Sequence, residues 1–140
     1  MPVIATEPKR LSDLVKDEYK PTTGYCRKQV VVNEAAAETY VMGTVLGKIT
    51  ATGKYIRAIE TAIDGSEVAA AIFIGVPAGD FGIDGDIPIT TDTNVTTLIQ
   101  GPLIVGLDAL VLDATYDNAT KIDQAVSELE ALGIVVQDQL

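Results

Sequence analysis

Any chemistry in this chain must be done without imidazole. The 140 residues include no histidine, which removes the commonest general base and metal ligand. The nucleophile candidates are a lone cysteine, Cys26, and three serines, Ser12, Ser66 and Ser127. A Cys–His pair within one subunit is therefore excluded. A single cysteine cannot form an internal disulfide, and Cys26 reads as a small buried apolar side chain. None of the serines stands in a G-x-S-x-G elbow, and "DGSE" around Ser66 is turn chemistry. The acidic loop "GDFGIDGDI" is the best remaining place for a site: Asp80, Asp84 and Asp86 could offer the oxygen ligands that Ca²⁺ or Mg²⁺ takes. Its spacing departs from the EF-hand loop, which wants acids at alternate positions and a glutamate at its end. Asp and Gly also dominate ordinary turns. The residues therefore predict no catalytic residue, no bound metal and no cofactor.

One enzymatic alternative uses the same loop. "GIDGD" at Gly82–Asp86 is similar to the G-x-x-D stretch that holds the base in trimeric dUTP pyrophosphatases, which are β-rich chains of comparable length. That resemblance implies an aspartate, Asp84 or Asp86, activating a water for nucleotide hydrolysis. The chain lacks the Gly-Arg-Ser-Ser stretch with which those enzymes grip phosphates, and it ends "VVQDQL", without a glycine-rich, Arg- or aromatic-bearing tail to close over a nucleotide.

The charge distribution narrows the field further. Net charge is −10, which argues against nucleic-acid binding through a broad basic surface. Residues 1–28 carry six Lys or Arg against four acids, a net of +2, whereas from Ala58 onward a single basic residue, Lys121, faces fourteen acids, a net of −13. A polyanionic nucleotide on such a body would be repelled unless metal intervened. "MPVIATEPKRLSDLVKDEYK" is interrupted by charge before an apolar run develops, so no secretory signal is read. The longest apolar run, Val68–Ala78, falls far short of the ~20 residues that span a bilayer. A soluble protein made in a cytoplasm is expected, with neither nucleic acid nor membrane as partner.

The elements that must position any site follow from the local texture. The length predicts one domain. Residues 1–24 read as an extended arm, with Pro2, Pro8 and Pro21 and sparse apolar residues. Within it, "LSDLVKDE" predicts at most a turn or two of helix with Ser12 near its start. An arm of this kind is disordered, or ordered by something outside its own domain. Residues 25–140 read as a β-rich domain. "YCRKQVVV" predicts a strand, and "TYVMGTVLGKIT" a second with Val41, Gly43, Val45, Gly47 and Ile49 on one face. Two same-face glycines leave room for another chain segment, or mark a bend. "TATGKY" reverses the chain at Gly53, "YIRAIE" returns as a partner strand, and Asp64-Gly65 centres a second turn. "VAAAIFIGV" predicts a strand buried on both faces. "DIPIT", "NVTTLIQG" and "PLIVGLDALVLD" predict further strands, the last with Pro102 near its start. Ile122, Ala125, Val126, Leu129 and Leu132 fall on one face of a helix capped by Thr120 or Asn118 and ended by Gly133, after which "IVV" forms a terminal strand.

The order "EYKPTTGYCRKQVVV … GTVLGKITATGKY … DGSEVAAAIFI", followed by "ALGIVV" after a helix, resembles the phage lambda-type head decoration proteins, from about Leu11 to Val136. The resemblance implies a mainly β, β-clip-like compact domain with one C-terminal helix and an extended N-terminal arm. It further implies a homotrimer on the outside of the expanded phage head, assembled in the host bacterial cytoplasm. There it would cement major capsid protein subunits against internal DNA pressure, with no enzymatic role. By the same resemblance, the arm would supply the capsid contacts: Pro2, Val3, Ile4, Ala5, Thr6, Glu7, Pro8, Lys9, Arg10, Leu11 and Leu14. It assigns no role to Cys26 or to the Gly82–Asp86 loop.

Overall fold

The computed structural model describes residues 14–34, 38–75, 87–89 and 92–137. The fold is mainly β with one late helix. Among the described residues ten strands run in chain order: β1 Val15–Glu18, β2 Arg27–Val32, β3 Glu38–Tyr40, β4 Val45–Lys48, β5 Tyr55–Arg57, β6 Ala69–Gly75, β7 Ile87–Ile89, β8 Thr93–Leu98, β9 Leu103–Gly106 and β10 Ile134–Gln137. The helix α1 spans Ala119–Glu130. None of the described helices is long and apolar enough to cross a membrane.

Five strands close a barrel in the order β2-β5-β4-β6-β8. Its pairs are antiparallel except where β2 meets β5, a short parallel contact at Val32 and Tyr55. Inside pack Val30, Val32, Tyr40, Leu46, Ala71, Phe73 and Val95, with the Tyr40 and Phe73 rings edge-to-face at 5.4 Å. The opposite side of the same strands feeds a second and larger core. There Val45, Ile72, Ile74 and Leu98 meet Leu103, Val105, Ile134 and the helix residues Ala125 and Leu129. Because β6 serves both cores, its run must be apolar at consecutive positions, and every residue except Ala70 is buried.

The second core is covered by a three-stranded sheet, β1-β9-β10, in which β1 runs antiparallel and β10 parallel to the central β9. Asn118 caps α1, its side chain accepting from the Lys121 N–H at 3.0 Å. Glu128 on the helix accepts from the Ala69 N–H at 2.9 Å and so ties α1 to the start of β6. Gly133 leaves the helix with φ +86° and lets the chain turn into β10.

Three expected elements come out differently. Of the turn or two of helix expected within residues 11–18, residues 11–13 lie outside the described residues and Leu14 is helical. Val15–Glu18 instead form the strand β1, whose backbone is claimed by β9, a tertiary pairing that overrides weak local helix preference. The long strand expected from Thr39 to Thr50 is broken at 41–44. Thr44 folds back on Val41, its hydroxyl donating to the Val41 carbonyl at 2.7 Å, and Gly43 takes φ +101°. The break lets β3 leave the barrel to pair with β7 while β4 stays in it. The strand expected through residue 113 stops at Gly106. A 3-10 turn, Leu107–Ala109, then carries the chain back to the barrel, where Val111 pairs with Thr44.

Past that break, β4 and β5 form the hairpin that the sequence predicts, with Gly53 at φ +72° in its turn. The space beside Gly47 is taken by this chain's own loop. A Cβ on Gly47 would stand 2.2 Å from the Ser66 carbonyl oxygen. Asp64 builds that loop, accepting from both the N–H and the hydroxyl of Ser66.

Candidate functional site

Among the described residues, Cys26 and Ser66 are committed to structure. Cys26 is fully buried where β1 passes into β2, and its thiol points at the Pro102 and Tyr19 carbonyls, 3.5 and 3.7 Å away. Burial pushes its pKa up, so the reactive thiolate is disfavoured. Ser66 is fully buried and donates to Asp64, and Ser127 lies on the exposed side of α1. Ser12 and the Asp80, Asp84 and Asp86 loop lie outside the described residues. Among the described residues no group of three His, Cys, Asp or Glu side chains is arranged to hold a metal.

Carboxylates do gather around Tyr116, but as structural acceptors. Glu67 receives the Gly65 N–H, Asp113 receives the Thr115 N–H and hydroxyl, and Glu60 faces Lys121 at 3.7 Å. Tyr116 itself is 6% exposed. Burial first, then the negative charges of Glu128, Glu60, Asp113 and Glu67, push its phenol up to about 12. The neutral phenol is thus the form the fold prefers. Its contribution to stability is complete below the unfolded value near 10 and is lost as pH rises toward 12. Tyr116→Phe should flatten the fall in melting temperature between pH 10 and 12. A fall of undiminished steepness in the variant would show that Tyr116 does not govern this limb.

Of the expected arm contacts, Pro2, Val3, Ile4, Ala5, Thr6, Glu7, Pro8, Lys9, Arg10 and Leu11 lie outside the described residues. Leu14 is fully buried in the second core. It acts as an anchor: immediately after it β1 joins β9, within the 1–24 segment read as an arm. A bidentate pair, Arg27 Nε and Nη2 to the two Glu18 carboxylate oxygens at 2.8 and 2.7 Å, fastens β1 to the barrel strand β2.

The outer face of this anchored sheet is open. The register aligns Asp17, Ile104 and Val135 in a row across β1, β9 and β10. They line a groove of about 540 Å³ together with Tyr19, Lys20, Pro102 and Gly133. Tyr19, Tyr25 and Val135 are 44%, 49% and 43% exposed. The tyrosine rings meet edge-to-face at 5.3 Å, and the Lys20 ammonium lies 5.2 Å from the Tyr19 centroid. Both tyrosines are held through their backbones. The Tyr19 N–H donates to the Pro102 carbonyl at 3.0 Å, and the Gln100 side-chain amide donates to the Tyr25 carbonyl at 2.9 Å. No motif in the sequence marks Tyr19 or Tyr25, and the one signal for Ile104 and Val135 is the in–out alternation of short apolar strands.

The family model of bacteriophage lambda head decoration protein D matches residues 4–134, nearly the whole chain. No curated protein matches it.

Proposed function

Since the chain belongs to the bacteriophage lambda head decoration protein D family, a structural family of the phage head, we propose that it acts as a trimeric cement. It sits on the outside of the expanded shell after assembly in the host cytoplasm, and it holds major capsid protein subunits together against internal pressure. The family match over residues 4–134 carries this reading. The role is binding, not catalysis, and it calls for neither nucleic acid nor membrane.

The mechanism rests on the arm. Pro2–Leu11 pairs with a strand of the shell protein, and Leu14 fixes the point from which it leaves the body. A segment that takes its order from a partner loses roughly 1–2 kcal/mol of backbone entropy per residue, so one arm holds weakly. Main-chain hydrogen bonds at a sheet edge and pockets for Val3 and Ile4 offset that loss. Three arms on one trimer act at effective concentrations in the millimolar range, which multiplies affinity by ~10²–10⁴. A trimer that binds only the expanded lattice stabilises it by mass action.

Deleting residues 2–13, which stops short of buried Leu14, should leave the oligomer and its melting temperature intact. Retention on expanded, undecorated heads should fall by ~10²-fold or more. Undiminished retention would refute the arm clamp.

A further inference from the structure

We infer that the groove across β1, β9 and β10, walled by Tyr19 and floored by Ile104 and Val135, is a second shell contact that seats the body on the same capsid protein the arm holds. This rests on the decoration role proposed above. The patch has the chemistry of a contact. Five large apolar side chains among the described residues are exposed, and three of them, Tyr19, Tyr25 and Val135, gather here. Tyrosine gives a large amphipathic surface at low entropic cost, and energetic hot spots are enriched in it. These two rings are also pre-positioned, because the backbone bonds to Pro102 and Gln100 fix their carriers. The groove floor is apolar, and its rim carries the Asp17 carboxylate and the Lys20 ammonium. That is the pattern of an apolar centre with a polar edge.

The occupant follows from where the chain leaves the body. One wall of the groove is β1, the strand into which the arm runs directly. Residues 2–13 span at most about 40–43 Å. A shell subunit held by them is therefore kept at high local concentration beside this face. An apolar segment of that subunit fills the groove across Ile104 and Val135 and covers the tyrosine rings. The arm supplies capture, and the groove fixes orientation.

The test combines a variant with a footprint of the native protein. Tyr19→Ala with Val135→Ser alters two exposed side chains, so the oligomer and melting temperature should be kept while affinity for expanded heads falls ~10-fold or more with the arm intact. Hydroxyl-radical footprinting of the native chain should find Tyr19 and Tyr25 oxidised in free protein and shielded on heads, which needs no variant. Equal oxidation on and off heads would overturn the inference. So would loss of the oligomer in the variant, which would make the occupant a second copy. Shielding in free protein that vanishes when residues 2–13 are removed would overturn it too, since the occupant would then be the chain's own arm. If native protein binds no heads at all, the decoration role itself fails. If it binds and the variant binds equally well, only the groove contact fails.

Discussion

Gly101→Ala should destabilise the fold severely. An alanine Cβ there would stand 1.7 Å from the Gly133 carbonyl oxygen, 2.4 Å from its carbon and 3.0 Å from its Cα. All three are backbone atoms, so no rotamer change relieves the overlap. Gly133 cannot yield by changing conformation either. Its φ of +86° turns α1 into β10, and the Leu132 carbonyl beside it accepts the Gly101 N–H at 2.9 Å. Separating the two segments means pulling β10 from β9 and opening the second core. A loss above about 4 kcal/mol is expected, against a total of about 5–15 for a domain of ordinary stability. Gly53→Ala supplies the contrast. Its φ is +72°, but the nearest atom is the flexible Lys48 Cε at 4.0 Å, so only the left-handed backbone cost of roughly 1–2 kcal/mol applies. Denaturant unfolding of both variants checks the pair. A Gly101→Ala protein that unfolds at the native midpoint would disprove the backbone-contact argument.

Phe73→Ala is the second large effect, expected at about 3–5 kcal/mol. Phe73 is fully buried at the centre of the barrel, and its ring packs edge-to-face on Tyr40. Tyr40 cannot swing into the space, because its hydroxyl donates to Glu34, whose carboxylate also accepts the Arg57 N–H at 2.9 Å. The backbone of Phe73 is held as well, bonded in both directions to Gly43 and Thr44 at 2.8 Å. A closed barrel with fixed walls collapses little around a void, so the cavity persists and the cost lies in the upper part of the range. Phe73→Leu, which keeps most of the volume, should lose under about 1.5 kcal/mol. Urea unfolding with an unchanged slope measures both. Equal losses for the two variants would mean that the cavity is not what matters.

The parts of this fold that could be read from residue types are those decided within a few neighbours. Gly53 and Asp64-Gly65 mark turns because positive φ and side-chain capping are local properties. The helix is legible because its apolar face is repeated over three turns, and β6 because its apolar run has no polar interruption. What stayed hidden depends on partners far along the chain. Val15–Glu18 has no strand signature of its own and becomes a strand because Leu103–Val105 accepts it. The break at Gly43 is set by Thr44 and by the return of Val111, more than sixty positions later. Barrel closure rests on one parallel contact, Val32 with Tyr55, that no local pattern announces. For the candidate site, Tyr19 and Tyr25 are visible as types, but the groove exists only once β9 and β10 bring Ile104 and Val135 beside them.

The central strand β9 is gripped on one side by residues 15–18 and on the other by residues 134–137. The layer that covers the barrel is thus woven from the earliest and the latest described parts of the chain. During synthesis the barrel strands, complete by Leu98, emerge before Leu103, Val105, Leu129 and Ile134, which share the second core with Ile72, Ile74 and Leu98. A barrel formed at that point would carry an unroofed apolar outer side. The second core is thus completed by β10, the last described strand, and a chain cut short before it should expose the apolar outer side of the barrel strands.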